Sequence, residues 1–250
     1  MKKYSILSVA NKQYTKFAYV FIQSAIKHLN LDNVHEICIL ETGMDSADIS
    51  YLTNLHPKIK FINGAKVSSS KAWDDGWQEN VLLKTNFAKE YISNKSIPAC
   101  MIDIDCMFVQ DISSIITADK HDGIVLCDRS EIWGGMPYIA SFVGFVNIEQ
   151  SLNFINDWIL CIDNIKGFRT KETPALNEII RSASEKYDFY AASHDIVGLY
   201  VKDKFNSNSC ILHFKGGGDS ENIPMDEAVQ VRFKRFPQFE NEINEYLENV

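Results

Sequence analysis

The sequence predicts an α/β fold whose central sheet is mostly parallel and covered by helices on both faces. Three observations carry that expectation. The first hundred residues alternate short β-rich runs with segments of helical periodicity. An apolar run, Ala99 to Ile102, leads straight into two aspartates. The composition, 46% hydrophobic and 23% charged over 250 residues, matches an ordinary globular chain with enough apolar side chains for a large core.

Tyr4 to Val9 is the first β-rich run, and Phe17, Val20, Phe21, Ser24, Ala25 and His28 mark one face of the helix after it. His35 to Leu40 reads as the second strand. Asp45 or Ser46 can cap a helix carrying Leu52 and Leu55, which Pro57 stops ahead of a third strand, Ile59 to Ile62. Beyond a polar loop, Val81 to Tyr91 reads as a helix, and Pro98 delivers the chain into Ala99 to Asp103. Such a βαβαβαβ series builds parallel strands through helical crossovers. The second half is less regular. Gly123 to Cys127 and Ile139 to Ile148 read as strands, and Ser151 to Ile162 as a helix with Trp158, Ile159 and Ile162 in the core. Thr173-Pro174 pairs a cap residue with a proline at the first helical position and opens the next helix. Ser193 to Val201 and Cys210 to Phe214 are further strands, and the chain is helical and charged from about Met225. Residues 1–250 are expected to form one domain, with 219–250 a helical C-terminal extension.

The balance of 25 Lys+Arg against 33 Asp+Glu leaves a formal net charge of −8. It argues against a broad nucleic-acid or anionic-membrane footprint, which clustered cations would supply, so any phosphate must be held locally. The six cysteines, Cys38, Cys100, Cys106, Cys127, Cys161 and Cys210, include no Cys-x-x-Cys pair and stand mostly in apolar strings. They read as reduced core residues and point to a cytoplasmic protein. Asn11-Lys12-Gln13 interrupts the apolar start before a signal-peptide core is reached, so no export signal is expected. No apolar run approaches the roughly 18 residues of a membrane-spanning helix, and no transmembrane segment is expected. The run Arg232-Phe233-Lys234-Arg235-Phe236 reads as the end of an amphipathic helix, with peripheral membrane or glycan contact as the alternative.

Chemistry concentrates in Met101-Ile102-Asp103-Ile104-Asp105. In an extended strand Asp103 and Asp105 point the same way while Ile104 points back into the core. Two like charges this close, flanked by apolar residues, require a cation or a raised pKa, and oxygen ligands suit Mg²⁺ or Mn²⁺. The alternative is that one aspartate caps a turn and the other pairs with a lysine. Downstream, Cys210-Ile211-Leu212-His213-Phe214-Lys215-Gly216 places His213 and Lys215 on one face if extended. His213 can complete a metal site or be a hydrogen-bonded structural residue, Lys215 can hold a phosphate, and Gly216 permits close approach of backbone to a ligand. Trp73-Asp74-Asp75-Gly76-Trp77 reads either as an acceptor-binding flap or as packing over the sheet edge.

In this order the motifs resemble those of the GT-A glycosyltransferases, in particular the retaining family that includes glycogenin and bacterial lipopolysaccharide galactosyltransferases. The likeness covers Ser8-Val9-Ala10-Asn11 through Tyr14, Lys84 ahead of the motif strand, the Asp-x-Asp itself, Ser141 to Asn147, Glu172-Thr173-Pro174-Ala175-Leu176-Asn177 and His213-Phe214-Lys215-Gly216. Phe142-Val143-Gly144 stands where the family has Asn-Ser-Gly or Asn-Ala-Gly, Glu172-Thr173 where it has Asp-Gln, and no Lys-Pro-Trp follows His213. The resemblance implies a Rossmann-like nucleotide-diphospho-sugar transferase fold and retaining transfer of a hexose from a UDP-sugar to a hydroxyl of a glycan, lipid-linked or protein acceptor. It implies Mn²⁺ or Mg²⁺ on Asp103, Asp105 and His213, and donor contacts from Ala10, Asn11, Tyr14, Lys84, Ile104, Lys215 and Gly216. Glu172 and Asp128 are its candidates for the sugar pocket.

Two competing classes remain open at this level. A haloacid dehalogenase-type phosphohydrolase also ends a strand in Asp-x-Asp, although there the motif follows the first strand. A nucleotide-sugar binding module without turnover would fit the departures around the sugar pocket. A Rossmann oxidoreductase is disfavoured because no Gly-x-Gly-x-x-Gly follows the first strand.

Overall fold

The structure, a computed structural model, describes residues 3–66, 75–116, 122–168, 170–217, 220, 223–248 and 250. Ser68 to Ser70, Trp73, Asp74 and Gly218 lie outside the described residues. The first strand, β1 (Tyr4–Ala10), passes through a single 3-10 turn, Lys12–Tyr14, into α1 (Thr15–His28). The unit repeats as β2 (Val34–Glu41), α2 (Ser46–Asn54) and β3 (Ile59–Asn63), and then as α3 (Asp75–Lys95) and β4 (Ala99–Ile102). A short strand, β5 (Cys106–Phe108), and α4 (Ser113–Ile116) precede β6 (Ile124–Asp128) and β7 (Tyr138–Phe145). The chain continues through α5 (Ile148–Asn164), α6 (Glu172–Ser182), β8 (Phe189–Ser193), α7 (His194–Val197), β9 (Gly198–Leu199) and β10 (Ile211–His213). It ends in α8 (Met225–Phe233) and α9 (Glu240–Leu247).

Seven strands form one sheet in the order β3-β2-β1-β4-β7-β6-β8. All its neighbours are parallel except the two pairings of β7, which runs antiparallel to β4 and β6. The predicted α/β class with a mostly parallel sheet is therefore observed. Alternation along each strand feeds two cores: Ile6, Cys100 and Ile102 pack under α1 and α2, while Leu7 and Met101 face α3, α5 and α6. A second sheet, β5-β10-β9, carries a third core in which Met107, Leu212 and Phe214 meet Phe17 of α1 and Val229, Phe233 and Phe236 from the C-terminal segment.

The helix boundaries follow from local chemistry. In α5, Asn147 caps the Gln150 N–H at 3.0 Å, and Phe154, Trp158 and Ile162 recur at helical spacing and are buried. The Trp158 indole donates to the Glu172 carbonyl at 3.0 Å, which fixes where α6 begins. That helix starts at Glu172, one residue before the expected Thr173 cap, so Pro174 stands within the first turn. Proline is tolerated there because first-turn N–H groups have no partner inside the helix. Thr173 is used otherwise: its hydroxyl accepts from the Ala140 N–H at 3.3 Å, and Asn177 bonds both backbone groups of Tyr138. The expected strand Ser193 to Val201 is broken by α7, because Ser193 caps the Asp195 N–H at 3.4 Å and the chain resumes pairing through a bridge at Val197 and the short strand from Gly198.

The basic-aromatic run at 232–236 is the end of an amphipathic helix, as read: Arg232, Phe233 and Phe236 are buried, Arg235 is half-buried and Lys234 is exposed. No helix among the described residues is long and apolar enough to cross a membrane.

All six cysteines are free, and Cys161 is the one not fully buried. Burial raises the thiol pKa of all six, and the five buried ones are also shielded from reagents. Iodoacetamide is therefore expected to modify Cys161 first in the native protein and all six positions after denaturation without reductant, read by mass spectrometry. Recovery of a disulfide-linked peptide pair from fresh protein would count against this.

Candidate active site

In the large sheet β1 has β2 on one side and β4 on the other, so the connections leaving its carboxyl end diverge there. Open α/β sheets bind ligands at such a switch point. A cleft of about 290 Å³ lies beside it, with Tyr14 from the turn after β1 and Asp103 and Asp105 from the end of β4 in its wall.

The two aspartates converge, but not by strand alternation. β4 ends at Ile102, and the Asp103 N–H makes a last contact with the Ser141 carbonyl at 2.9 Å. The chain then turns through Ile104, whose side chain is buried in the core as expected, and joins the second sheet. There Cys106 pairs with His213 across β5 and β10, and the Phe214 N–H donates to the Asp105 carbonyl at 2.9 Å. The small sheet thus carries His213 to the aspartates: its Nε2 lies 3.5 Å from Asp105 Oδ1 and 3.9 Å from Asp103 Oδ2. Its Nδ1 is buried without a hydrogen-bond partner among the described residues. Among the described residues, donor atoms of Asp105, Cys106 and His213 lie within 4.8 Å of one another, close enough to share one divalent ion, and Asp103 faces the same imidazole from outside that group.

Each carboxylate commits its other oxygen to a cation. Lys84 of α3 pairs with Asp103 Oδ1, and Arg232 of α8 pairs with Asp105 Oδ2. The lysine alternative raised for the aspartates is therefore realised at Asp103 alongside the convergence. Burial would raise the Asp105 pKa, but Arg232 and His213 hold its carboxyl well below the usual carboxylate range. Lys84 is buried, which disfavours its charge, yet Asp103 and Glu172 raise its pKa above the ordinary lysine value. It also donates to the Ala140 carbonyl at 3.0 Å and lies 3.4 Å from Glu172 Oε1. Burial pushes Glu172 up to about 7 against the pull of Lys84. Lys215 is brought down to about 8 by burial and by the neighbouring Arg129.

Of the other residues singled out in the sequence, Tyr14, Glu172, Lys215 and Gly216 line the cleft. Gly217, not Gly216, has the left-handed backbone (φ +113°) that demands glycine. Ala10 and Asn11 do not line it. The Ala10 carbonyl accepts from the Thr42 N–H at 2.9 Å, and Asn11 Oδ1 accepts from the Tyr14 N–H at 3.3 Å, which builds the turn presenting Tyr14. Asn11 borders a neighbouring hollow with Thr42 and Asp45. Asp128 is spent on its own loop, accepting from the Ser130 N–H at 2.8 Å, and is not part of the cleft wall.

Trp133 is a cleft residue that the sequence did not single out; Arg129, next to the sugar-pocket candidate Asp128, and Arg232, in the run read as a helix end, join it in the wall. Arg129 donates to the Met136 carbonyl at 3.0 Å and stacks over Trp133 at 5.2 Å, while Lys215 approaches the same indole at 5.7 Å. The signal for Arg232 was its setting, a cation among aromatic residues in a chain with two acids that needed partners.

Neither a protein-family model nor a curated protein sequence matches the chain. Solved structures do. The bifunctional glycosyltransferase WbbM in its apo form superposes with a TM-score of 0.65 at 13% identity over 98% of this chain, which spans only 52% of WbbM. An active-site mutant of LgtC matches with a TM-score of 0.62 at 13% identity, covering 92% of this chain and 94% of LgtC. The galactosyltransferase LgtC in complex with donor and acceptor sugar analogs gives 0.61 at 12% identity with the same coverage. At these identities the likeness speaks for architecture, and with the sheet order and the cleft at its switch point it shows that the chain has the GT-A glycosyltransferase fold.

Proposed function

We propose that the chain is a glycosyltransferase that moves a sugar from a nucleoside diphosphate donor, a UDP-sugar by resemblance, to an acceptor hydroxyl. The observation that carries this reading is the convergence of Asp103 Oδ2 and Asp105 Oδ1 on His213 Nε2, at 3.9 and 3.5 Å, beside a cleft at the switch point of a GT-A sheet. Asp103, Asp105 and His213 would hold Mn²⁺ or Mg²⁺, which when bound withdraws charge from the departing diphosphate. Lys215 adds a fixed positive charge to the same wall, and the backbone at Gly216 lets phosphate oxygens come close. Tyr14 takes the nucleoside end, on the turn that Asn11 braces. Lys84 holds Asp103 and Glu172 in place, and Glu172, whose carboxyl pKa burial pushes up, offers an acceptor or a donor to sugar hydroxyls.

The test is a panel of nucleotides and nucleotide sugars scored by thermal shift with Mn²⁺ and with EDTA, followed by assay of donor hydrolysis. A uridine diphosphate at a hundred times its Kd stabilises by about 2.7 kcal/mol. The expected result is a shift for UDP that Mn²⁺ enlarges, with slow release of UDP from one UDP-sugar. Binding without transfer or hydrolysis would turn the assignment to a binding module, and turnover of a generic aryl phosphate would turn it to a phosphohydrolase.

A further inference from the structure

We infer that Arg232 is a resident counter-ion of the Asp-x-Asp site, so that the site takes its divalent cation together with a nucleoside diphosphate and not ahead of it. This rests on the nucleotide-sugar reading above. Arg232 comes from α8 and is 3% exposed. It pairs with Asp105 Oδ2, donates from Nε to the Phe214 carbonyl, and lies with its guanidinium carbon 4.5 Å from the centre of the Phe17 ring and 5.8 Å from that of Tyr14. A Cβ placed on Gly216 would stand 4.0 Å from the same carbon, so the guanidinium underlies the loop that borders the cleft. Contacts from four parts of the chain hold it there, and it cannot swing aside without opening the third core.

Two consequences follow for ligands. Lys84 and Arg232 already balance the charges of Asp103 and Asp105, and Lys215 faces the cleft with no carboxylate within 4 Å among the described residues. A bare divalent cation therefore gains little Coulomb energy on entry, whereas an anion gains from Lys215 and, because Arg232 cancels the Asp105 charge, meets little repulsion there. Each aspartate also has one oxygen not paired with a lysine or arginine, so the chain supplies two carboxylate oxygens and one imidazole. Mg²⁺ and Mn²⁺ prefer about six ligands, and diphosphate oxygens complete that set better than the protein does alone. Arg232 is thus a positioning residue: it acts on metal and diphosphate through Asp105 and through the local charge.

The experiment titrates Mn²⁺ by electron paramagnetic resonance in the absence of nucleotide, and UDP by calorimetry in EDTA and in Mn²⁺, on the full-length parent, Arg232→Met and Arg232→Lys. The parent should bind Mn²⁺ alone at least about tenfold more weakly than in the presence of UDP. Arg232→Met should raise affinity for Mn²⁺ alone and lower affinity for UDP in EDTA, each by about tenfold, while Arg232→Lys stays near the parent in both. Opposite signs are the signature, because a merely loosened fold weakens both. A methionine variant that weakens both ligands, or a parent that binds Mn²⁺ equally well with and without UDP, overturns the inference. If Arg232→Met does not fold, Arg232→Gln, which keeps a hydrogen-bond donor to Asp105 without the charge, takes its place, and the same opposite signs are expected. A parent that binds no UDP under either condition overturns the nucleotide-sugar reading itself, which is a different failure from tight nucleotide-free Mn²⁺ binding by a protein that also binds UDP.

Discussion

Asp105→Asn is expected to lower Mn²⁺-stimulated donor hydrolysis or sugar transfer by about 10²–10³-fold, and EDTA should produce a comparable loss in the parent. Asparagine keeps the size of the side chain and an oxygen that can still accept from Arg232, but it removes the negative charge facing His213 Nε2 at 3.5 Å. The choice of asparagine matters because alanine would take from the buried Arg232 its hydrogen-bond acceptor as well as its counter-charge, and breaking a buried pair in that way costs about 3–5 kcal/mol. With asparagine the melting temperature should fall far less than the rate, and that split separates lost chemistry from lost fold. The measurement is UDP release from the donor identified by the nucleotide panel, across a Mn²⁺ series. An Asp105→Asn enzyme within about twofold of the parent, together with full parent activity in EDTA, would remove the carboxylate-held metal from the mechanism.

Much of this architecture was legible in the sequence because its determinants are local. The alternation of Ile6 with Leu7 and of Met101 with Ile102 sorts side chains to two faces, and Pro57 and Pro98 punctuate the crossovers. The aspartate pair was readable because unpartnered acids in an apolar run are costly. Its mode of convergence was not readable. The sequence does not state that β4 ends at Ile102, or that the chain crosses into a second sheet where Cys106 meets His213, since that pairing joins residues more than a hundred positions apart. The same distance hid Arg232: its partner Asp105 lies 127 positions away, and the local pattern at 232–236 was that of a surface helix end. Ser193 to Val201 failed for a smaller reason, a serine cap that stops a strand as readily as β-propensity extends one.

Lys84→Met is expected to destabilise the protein by about 3–5 kcal/mol at neutral pH, a drop of roughly 10 °C in melting temperature for a chain of this size. Lys84 is buried between Asp103, Glu172 and the Ala140 carbonyl, and methionine fills its volume while leaving Glu172 buried without its cation. The pH dependence has a definite sign. Burial already raises Glu172 from 4.5 to about 7 in the folded protein, and Lys84 is the main influence holding it down. A carboxyl whose folded pKa lies above its unfolded value loses folded-state stability as pH rises between the two, and keeps that loss above both. Without Lys84 the folded value moves higher still, so the deficit of Lys84→Met should be greatest above about pH 7 and should shrink toward pH 4.5, where Glu172 is protonated in the folded form of both parent and variant. Adding Glu172→Gln should recover part of the loss at high pH and little at low pH, because it removes the carboxyl that Lys84 had compensated. Differential scanning fluorimetry of the parent, both single variants and the double variant across this range is the measurement. A Lys84→Met protein within about 1 kcal/mol of the parent at every pH would mean that Lys84 behaves as a surface ion pair, and the buried charge cluster that organises this site would have to be abandoned.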